Sequence, residues 1–401
     1  MNTAQLSFER TIQAPINLVF RAFTRSAALR EWMCDVATTD PRPGGRMYMW
    51  WNSGYYTSGE FLKVEADREI VFQWQGRGEP GLTQVEITLS GSKNATQLKL
   101  VHSGIGSGEA WTEAAKEYQK GWENGLENLA HTMEQGPDLR ITTRPMMGIG
   151  LDDFDETIAK KLGVPVIQGV RVSNALEGMG AHAAGIRNND VIVGLSGFEI
   201  TDFSNLAAAM HGRKAGEEIQ MTFYRGGEKI TVSMKLSHRP IPVIPPTAAE
   251  LAEAVSSIYA RCEADLDAFL QGVTEEMAGR KPNETEWSVK GILAHLIHGE
   301  RDWQRALDEI ITDSEPWFDH FGGNNNGRVE ATLSVYPTLA ELVVELKRLY
   351  AETLACLANL PSEFVAHKAS YWRVGFQSLQ LNGHFQLHLE QMQATIQSLK
   401  Q

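Results

Sequence analysis

Two breaks in the sequence constrain the fold most, because they divide the 401 residues into three stretches with different hydrophobic periodicity. The first break, at residues 134–145, ends a helical pattern in Gly-Pro, and the second, at 238–250, contains four prolines. Closely spaced prolines cannot continue a helix or a central strand and form stiff, extended spacers. We therefore predict three domains, at residues 1–136, 140–238 and 247–401, which also suits a chain too long for one ordinary core.

Composition argues against several classes of function. A net charge of −13 at pH 7 argues against a nucleic-acid-binding surface and against binding to an anionic membrane. The three cysteines form no CxxC motif and indicate reduced thiols rather than a disulfide framework. Because no apolar run reaches membrane-spanning length and the first residues do not resemble a signal peptide, we expect a cytoplasmic protein without a membrane or nucleic-acid partner. The oligomeric state is left open, and a homo-oligomer is one alternative.

The first stretch alternates apolar and polar residues with a period of two before a long helical pattern. Such one-sided strands are typical of an antiparallel sheet that packs one face on a core. The helical pattern, at residues 113–136, should bury one apolar stripe against that sheet. The stripe consists of Trp122, Leu126, Leu129 and Met133.

Several pieces of this first stretch occur in a familiar order: APINLVFRAFT, LREWM, PRPGGRM, SGEFLKV, EIVFQW and GWENGLENL. Together they resemble the Hsp90-ATPase-activator-like branch of the START-like (SRPBCC) superfamily. The resemblance implies an α+β helix-grip fold, with a curved sheet wrapped around the long helix and a cavity between them. It does not imply Hsp90 activation, because this fold carries many functions.

Large side chains on the inward strand faces have two interpretations. They could line a cavity for a small apolar molecule, or they could fill a packed core without a cavity. The candidate ligand-binding residues are Trp32, Met49, Trp51, Phe72 and Trp74.

The middle stretch contains GIGL at 148–151, AGIRNNDVI at 184–192, and a helix-strand-RGGE-strand ending. It resembles a PDZ domain of the bacterial protease-associated kind, although Asn189 stands where glycine is usual. The resemblance implies a small β-rich domain in which backbone amides of the glycine loop bind a peptide carboxylate, while the peptide adds a strand. The partner would be a protein C-terminus or an internal peptide; the alternative is an internal loop or a neighbouring domain. The candidate peptide-binding residues are Gly148, Ile149, Gly150, Leu151, Leu206 and Met210.

The last stretch has helical periodicity throughout. We predict helices at 247–272, 287–313, 337–358 and 376–399, which together make an all-α four-helix bundle. Within the last of these, His384 and His388 are four residues apart and therefore share one helix face. A third histidine from a neighbouring helix would complete a three-nitrogen site with open coordination positions, which suits a divalent transition metal.

The segments TEWSVKGILAHLIHGERDW and NGHFQLHLEQM resemble the DinB-like bundle superfamily. The resemblance implies that His295, His384 and His388 hold a zinc, nickel or iron ion, and that the reaction, if there is one, uses a low-molecular-weight thiol. His298 is an alternative to His295. Glu300 and Asp302 would either orient a ligand imidazole or belong to a solvated helix face, and the latter is the favoured interpretation. An asparagine-rich loop at 321–328 would cover the end of the bundle or stay mobile.

Two functions are consistent with these parts. The first is a three-module protein whose metal site performs thiol transfer or isomerisation on a small molecule, with catalytic residues unknown. The second is a ligand sensor or adaptor in which all three modules only bind. The intact histidine set favours the first function, and the lack of an obvious general base favours the second. The sequence contains neither the phosphate-binding loop motif GxxxxGK[ST] nor the serine-hydrolase motif GxSxG, which disfavours ATP chemistry and serine hydrolysis.

Overall fold

The structure, a computed structural model, describes residues 4–91, 94–314 and 325–399. The chain forms two compact units. The first comprises Met1–Asp138 together with Pro242–Gln401, and the second comprises Leu139–Ile241. The predicted fold class is confirmed, because an antiparallel sheet with helices is followed by a small β-rich domain and then by an all-helical region. The domain boundaries stay a prediction.

The N-terminal part is a seven-stranded antiparallel sheet with three helices. The strand order is β1-β7-β6-β5-β4-β3-β2, so that β1 and β2 form the two edges. The strands are β1 Ala4–Ile12, β2 Val36–Thr39, β3 Arg46–Trp50, β4 Tyr56–Glu65, β5 Glu69–Gly76, β6 Thr83–Gly91 and β7 Thr96–Ile105. The helices are α1 Ile16–Thr24, α2 Ser26–Trp32 and α3 Glu109–Gln135.

Periodicity decides which residues form the core of this part. On β6, Val85, Ile87 and Leu89 are buried while the residues between them are only partly buried or exposed, as expected for a strand with one packed face. The stripe of α3 is also in the core, since Trp122 and Leu126 are buried against the sheet. Each such large apolar side chain contributes about 1.5–3 kcal/mol through its burial.

The C-terminal part is helical over its described residues. The predicted helices 247–272, 287–313 and 337–358 are observed, and each observed end lies within two residues of the predicted one. The helices are α8 Ala248–Leu270, α9 Glu275–Gly279, α10 Val289–Ile311, α11 Asn325–Val335, α12 Leu339–Ala358, α13 Ser362–Ala366, α14 Lys368–Ser378 and α15 Leu381–Ser398.

Two predictions for this part need correction. The predicted helix 376–399 is divided, because α14 ends at Ser378 and α15 begins at Leu381. At the break the side-chain Nε2 of Gln380 donates to the carbonyl of Phe376 (2.8 Å), the group that would accept the backbone N–H of residue 380 in a continuous helix. The asparagine-rich loop is helical from Asn325 onward, and its residues 321–324 lie outside the described residues.

A buried ion-pair network joins the bundle to the N-terminal part of the same unit. The guanidinium of Arg21 donates to Glu31 (3.1 Å) and to Asp313 (2.7 Å), and the hydroxyl of Ser370 on α14 donates to Glu31 (2.7 Å). Burial alone lowers the pKa of Arg21, but the two carboxylates outweigh it and hold the pKa above its usual range. The side chain of Glu31 is 1% exposed, so this carboxylate depends on its partners.

The second unit is a six-stranded sheet with short helices. Its order is β13-β12-β10-β9-β8, with β11 paired to β10. Asn189 has φ +68°, a left-handed conformation that asparagine adopts more readily than most residues, which explains how it replaces glycine. The strands are β8 Ile149–Asp152, β9 Val170–Ala175, β10 Val191–Leu195, β11 Phe198–Glu199, β12 Glu218–Arg225 and β13 Glu228–Lys235, and the helices are α4 Leu139–Thr142, α5 Glu156–Leu162, α6 Gly180–Ala183 and α7 Phe203–Met210.

Candidate metal centre and binding surfaces

Two helices of the bundle bring three histidines together. His295 lies on α10, which begins after Ser288, whose hydroxyl accepts the N–H of Gly291 at 3.2 Å. His384 and His388 lie one turn apart on α15, and their Nε2 atoms are 3.1 Å from each other. Each of the three imidazoles offers one nitrogen within 4.8 Å of the others.

The spacing of these nitrogens fits a small divalent ion. Nitrogens bound tetrahedrally to zinc at about 2.0–2.1 Å lie about 3.4 Å from one another. The His384–His388 separation of 3.1 Å is already close to this value, and the limit of 4.8 Å for the full set requires a modest inward movement of the rings. Three imidazole donors on two helices also leave coordination positions open for a further ligand.

Burial and neighbouring imidazoles favour the neutral, metal-binding form of His295 and His384. Burial, followed by the neighbouring His388 and His384, lowers the pKa of His295 to about 4. Burial and His388 also lower the pKa of His384. Since a metal ligand must be a neutral imidazole, these shifts favour binding at neutral pH.

His298, the alternative ligand, faces a different helix. Its Nε2 is 2.9 Å from the carbonyl of Arg328 and 2.8 Å from the hydroxyl of Thr332, both on α11. His298 is therefore engaged in packing α10 against α11, while His295 faces the pair on α15.

The two acidic residues after the histidines have different environments. Asp302 forms an ion pair with Arg328 (2.8 Å) on the surface. Glu300 is only 8% exposed and accepts hydrogen bonds from Tyr259 (2.8 Å) and Thr353 (3.1 Å). The favoured interpretation of Glu300 as part of a solvated helix face is therefore wrong, because α10 turns this residue toward α8 and α12.

Other residues around the cluster were not identified from the sequence. Nδ1 of His388 is 2.9 Å from Oε1 of Gln391, and the ring of Trp287 packs 5.0 Å from that of His295. The i,i+3 spacing of His388 and Gln391 was a signal that could have found this pair. Gly299 faces His384, and a glycine inside a helical pattern is a signal for such a close approach.

The glycine loop of the second unit lies at an open edge of its sheet, since β8 is the last strand in the order. Gly148 has φ +79° and its carbonyl accepts the amide of Leu176 at 2.8 Å. The amide of Gly150 donates to Oδ1 of Asn174 at 2.8 Å. This amide is already bonded, which differs from the expectation that the amides of residues 149–151 all face an incoming carboxylate.

The remaining peptide-site candidates lie on β8 itself and on α7. A register shift between Gly150 and Leu151 interrupts the pairing of β8 with β9, so a regular alternation of peptide groups does not extend from Gly150 to Leu151. Ile149 contributes to the core of this unit together with two residues of α7. These are Leu206, which is buried, and Met210, which is half-buried.

Four of the five candidate ligand-binding residues of the N-terminal part lie in its packed core. Trp32, Met49, Phe72 and Trp74 are 1–4% exposed, and Trp51 is half-buried against them. An open groove of about 520 Å³ lies elsewhere, between the first strand and α3. Its lining includes Leu6, Ile105, Trp111, Ala115, Lys116 and Lys120.

Comparison with known families identifies all three segments. Residues 13–134 match the family described as activator of Hsp90 ATPase homolog 1-like protein, residues 145–236 match the PDZ domain, and residues 234–392 match the DinB superfamily. Three segments of the chain thus match the activator-of-Hsp90-ATPase-like family, the PDZ domain and the DinB superfamily, in the order that the resemblances indicated.

Similar proteins match only parts of the chain. A probable periplasmic serine protease of Haemophilus influenzae is 33% identical over 23% of this chain and 20% of its own length. The periplasmic pH-dependent serine endoprotease DegQ of Escherichia coli is 28% identical over 27% of this chain and 24% of its own length. The chain thus spans about a quarter or less of the length of these two relatives.

Solved structures match about a third of the chain. An HSP90 activator from Plasmodium falciparum is 26% identical, with 31% of this chain and 92% of that chain covered and a TM-score of 0.28. CalU16 from Micromonospora echinospora is 25% identical; the match covers 34% of this chain and 79% of CalU16, with a TM-score of 0.29. The Aha1 dimer from Colwellia psychrerythraea is 16% identical; the match covers 33% of this chain and 97% of that chain, with a TM-score of 0.29.

Within the described ranges, the helices all fall short of the length and apolar character needed to cross a membrane. The expected cytoplasmic location stays a prediction, since relatives of the chain include periplasmic proteases.

Proposed function

We propose that the DinB-superfamily bundle binds a divalent transition metal through His295, His384 and His388, and that this site performs thiol transfer or isomerisation on a small molecule. The observation that carries the proposal is the convergence of the three imidazoles, with the Nε2 atoms of the α15 pair 3.1 Å apart. A single histidine on a buried helix face is usually a hydrogen-bonded core residue, but here three imidazoles, none of them fully buried, converge on one point.

The residues of the site have separable roles in this proposal. The three imidazoles hold the ion, and the burial of His295 favours its neutral form at physiological pH. The side-chain oxygen of Gln391 accepts the Nδ1 proton of His388 and so presents its Nε2 to the ion. The ring of Trp287 covers His295 on one side. When bound, the ion would lower the pKa of a water or thiol and supply a nucleophile near neutral pH.

Elemental analysis of the purified full-length chain tests metal binding. We expect about one zinc, nickel or iron per chain in the wild type, and loss of stoichiometric metal when both His384→Ala and His388→Ala are introduced. His298→Ala is the matched control, because it removes a neighbouring histidine that bonds to α11, and it should keep its metal. Unchanged metal in the double variant would refute the site.

A thiol-transfer assay on the metal-loaded protein then tests the activity. Low-molecular-weight thiols and electrophilic small molecules would be paired, and turnover should require the metal.

The second candidate function is binding without catalysis. It is favoured by the engagement of the neighbouring carboxylates, since Asp302 is paired with Arg328 and Glu300 is bonded to Tyr259. Stoichiometric metal without turnover for any thiol would support that function.

We further propose roles for the other two domains. The PDZ domain captures an extended peptide or a protein C-terminus along the open edge of β8, the last strand in the order of its sheet. The N-terminal domain binds a small apolar molecule, for which the groove at Trp111 offers about 520 Å³. A cytoplasmic location stays a prediction, and a homo-oligomer stays one alternative for the oligomeric state.

A further inference from the structure

A small cavity of about 40 Å³ lies inside the bundle next to the histidine cluster. Its lining includes His384 and Gly299 from the cluster side and Tyr259, Cys262 and Glu300 from the core. A cavity needs a volume of about 10–15 Å³ to hold a water molecule, and the water needs polar partners. This cavity has about 40 Å³ and polar groups in its lining, so it has room for water between a histidine of the cluster and a buried carboxyl group.

The carboxyl group of Glu300 has bonding capacity to spare on the cavity side. Over the part of the chain that is described, both of its hydrogen bonds, from Tyr259 and Thr353, are accepted by Oε2. Oε1 is therefore left for another donor. Burial raises the pKa of Glu300, while the two hydroxyl donors lower it. A buried carboxyl oxygen without a donor is costly, so a water bonded to Oε1 is the expected solution.

With an ion bound at the cluster, the ring of His384 would need a hydrogen-bond acceptor on the same side. Its Nε2 lies 3.1 Å from Nε2 of His388, which directs both atoms to the ion position. Neutral rings that bind through Nε2 carry their proton on Nδ1 and need an acceptor there. His388 has that acceptor in Gln391, at 2.9 Å.

Gly299 is what allows the His384 ring to approach α10. A Cβ atom at position 299 would lie 3.2 Å from Cε1 of His384 and 3.6 Å from its Nδ1. The edge of the ring that carries Nδ1 is therefore placed against a residue without a side chain, where the cavity begins. A side chain at 299 would make a tight contact with this edge and require the ring to shift by a few tenths of an ångström.

We propose that Glu300 is a positioning residue for the metal site: its Oε1 binds a water in the cavity, and that water accepts the Nδ1 proton of His384. The arrangement holds the His384 ring in the tautomer and orientation that present Nε2 to the ion. It is the counterpart of the direct contact between Gln391 and His388. The inference rests on the proposed function, because it requires that the cluster binds a metal.

Two measurements on the full-length chain test this role. One is the Zn²⁺ affinity, determined by competition with a chromophoric chelator, and the other is the visible absorption spectrum of the Co²⁺-loaded protein, which reports on ligand geometry. Glu300→Gln should weaken Zn²⁺ binding about tenfold or more and shift the Co²⁺ spectrum. Glu300→Asp keeps the carboxyl group but withdraws the oxygen, so its affinity should lie between those of the wild type and Glu300→Gln.

Glu345→Gln is the matched control. Glu345 is a buried carboxylate on α12 that pairs with Arg301 at 2.7 Å and is not part of the cavity lining. This variant should therefore keep the Zn²⁺ affinity and the Co²⁺ spectrum of the wild type. An unchanged affinity and spectrum in Glu300→Gln would overturn the proposal. If circular dichroism shows that Glu300→Gln does not fold, unchanged readings in Glu300→Asp would overturn it instead. A wild-type protein that binds no metal would refute the proposed function itself and this role with it.

Discussion

His102 in the core of the N-terminal domain should make the stability of the chain depend on pH. It is fully buried, and burial lowers its pKa to about 4. Its Nδ1 accepts the indole N–H of Trp122 at 3.0 Å, so the proton of the neutral ring is on Nε2, 2.8 Å from the hydroxyl of Thr83. That hydroxyl in turn donates to the carbonyl of Trp74 at 2.9 Å. A second proton on Nδ1 would face another N–H and break this chain of hydrogen bonds.

The size and sign of the effect follow from linkage. An unfolded histidine has a pKa of about 6.5, so a native pKa of about 4 corresponds to about 3 kcal/mol, at about 1.4 kcal/mol per pH unit. Between these two values the unfolded chain binds the additional proton and the native chain does not. The free energy of unfolding is therefore unaffected by His102 above about pH 6.5 and falls as the pH decreases from 6.5 toward 4.

Urea unfolding of the wild type and of His102→Gln would measure how much His102 contributes to the pH dependence of the free energy of unfolding. Glutamine can accept from Trp122 and donate to Thr83 but does not titrate. Tryptophan fluorescence suits the assay, because the rings of Trp74 and Trp122 lie 6.0 and 6.3 Å from that of His102. Between about pH 7.5 and 4.5, the wild type should lose about 2–3 kcal/mol more than the variant. The other histidines with lowered pKa values are common to both proteins and cancel in the difference. An equal loss in both proteins would refute the reasoning.

Two further predictions concern the binding surfaces. Gly150→Val should weaken binding of free C-terminal peptides about tenfold or more, because a Cβ atom at this position would lie 2.5 Å from Ser173 Oγ and 2.6 Å from Asn174 Oδ1 and would displace the β8 edge. The control is Gly227→Val in the β12–β13 hairpin, because the atom nearest to a Cβ at this position is 4.0 Å away. A peptide array that shows no preference for free over amidated C-termini would contradict the binding of peptide ends. Trp111→Ala should abolish the thermal stabilisation of the chain by apolar ligands, since this ring is the largest apolar surface in the groove. A library of lipids and aromatic compounds that stabilises the variant as well as the wild type would place the ligand elsewhere.

Much of the fold was determined by patterns that act over short distances along the chain. A period of two along β6 and a helical period along α3 specify which face of each element is apolar, and this property does not depend on the partner element. The spacing of His384 and His388 likewise guarantees that the two rings share a helix face. The prolines between 240 and 246 separate the second unit from the bundle for the same local reason, since each lacks an N–H and has a restricted φ.

Only the tertiary structure decided what lies opposite each face. Glu300 is polar and sits in a charged segment, yet α10 directs it between Tyr259 and Thr353, which are 41 and 53 residues away in sequence. Large side chains such as Trp74 look the same in sequence whether they line a cavity or fill a core, because the volume between two elements depends on how closely they pack. The break before α15, where the side chain of Gln380 donates to the carbonyl of Phe376, was likewise not evident from the helical period. Periodicity specifies the direction of a side chain, whereas its neighbours and the space around it are determined by elements that are distant in the sequence.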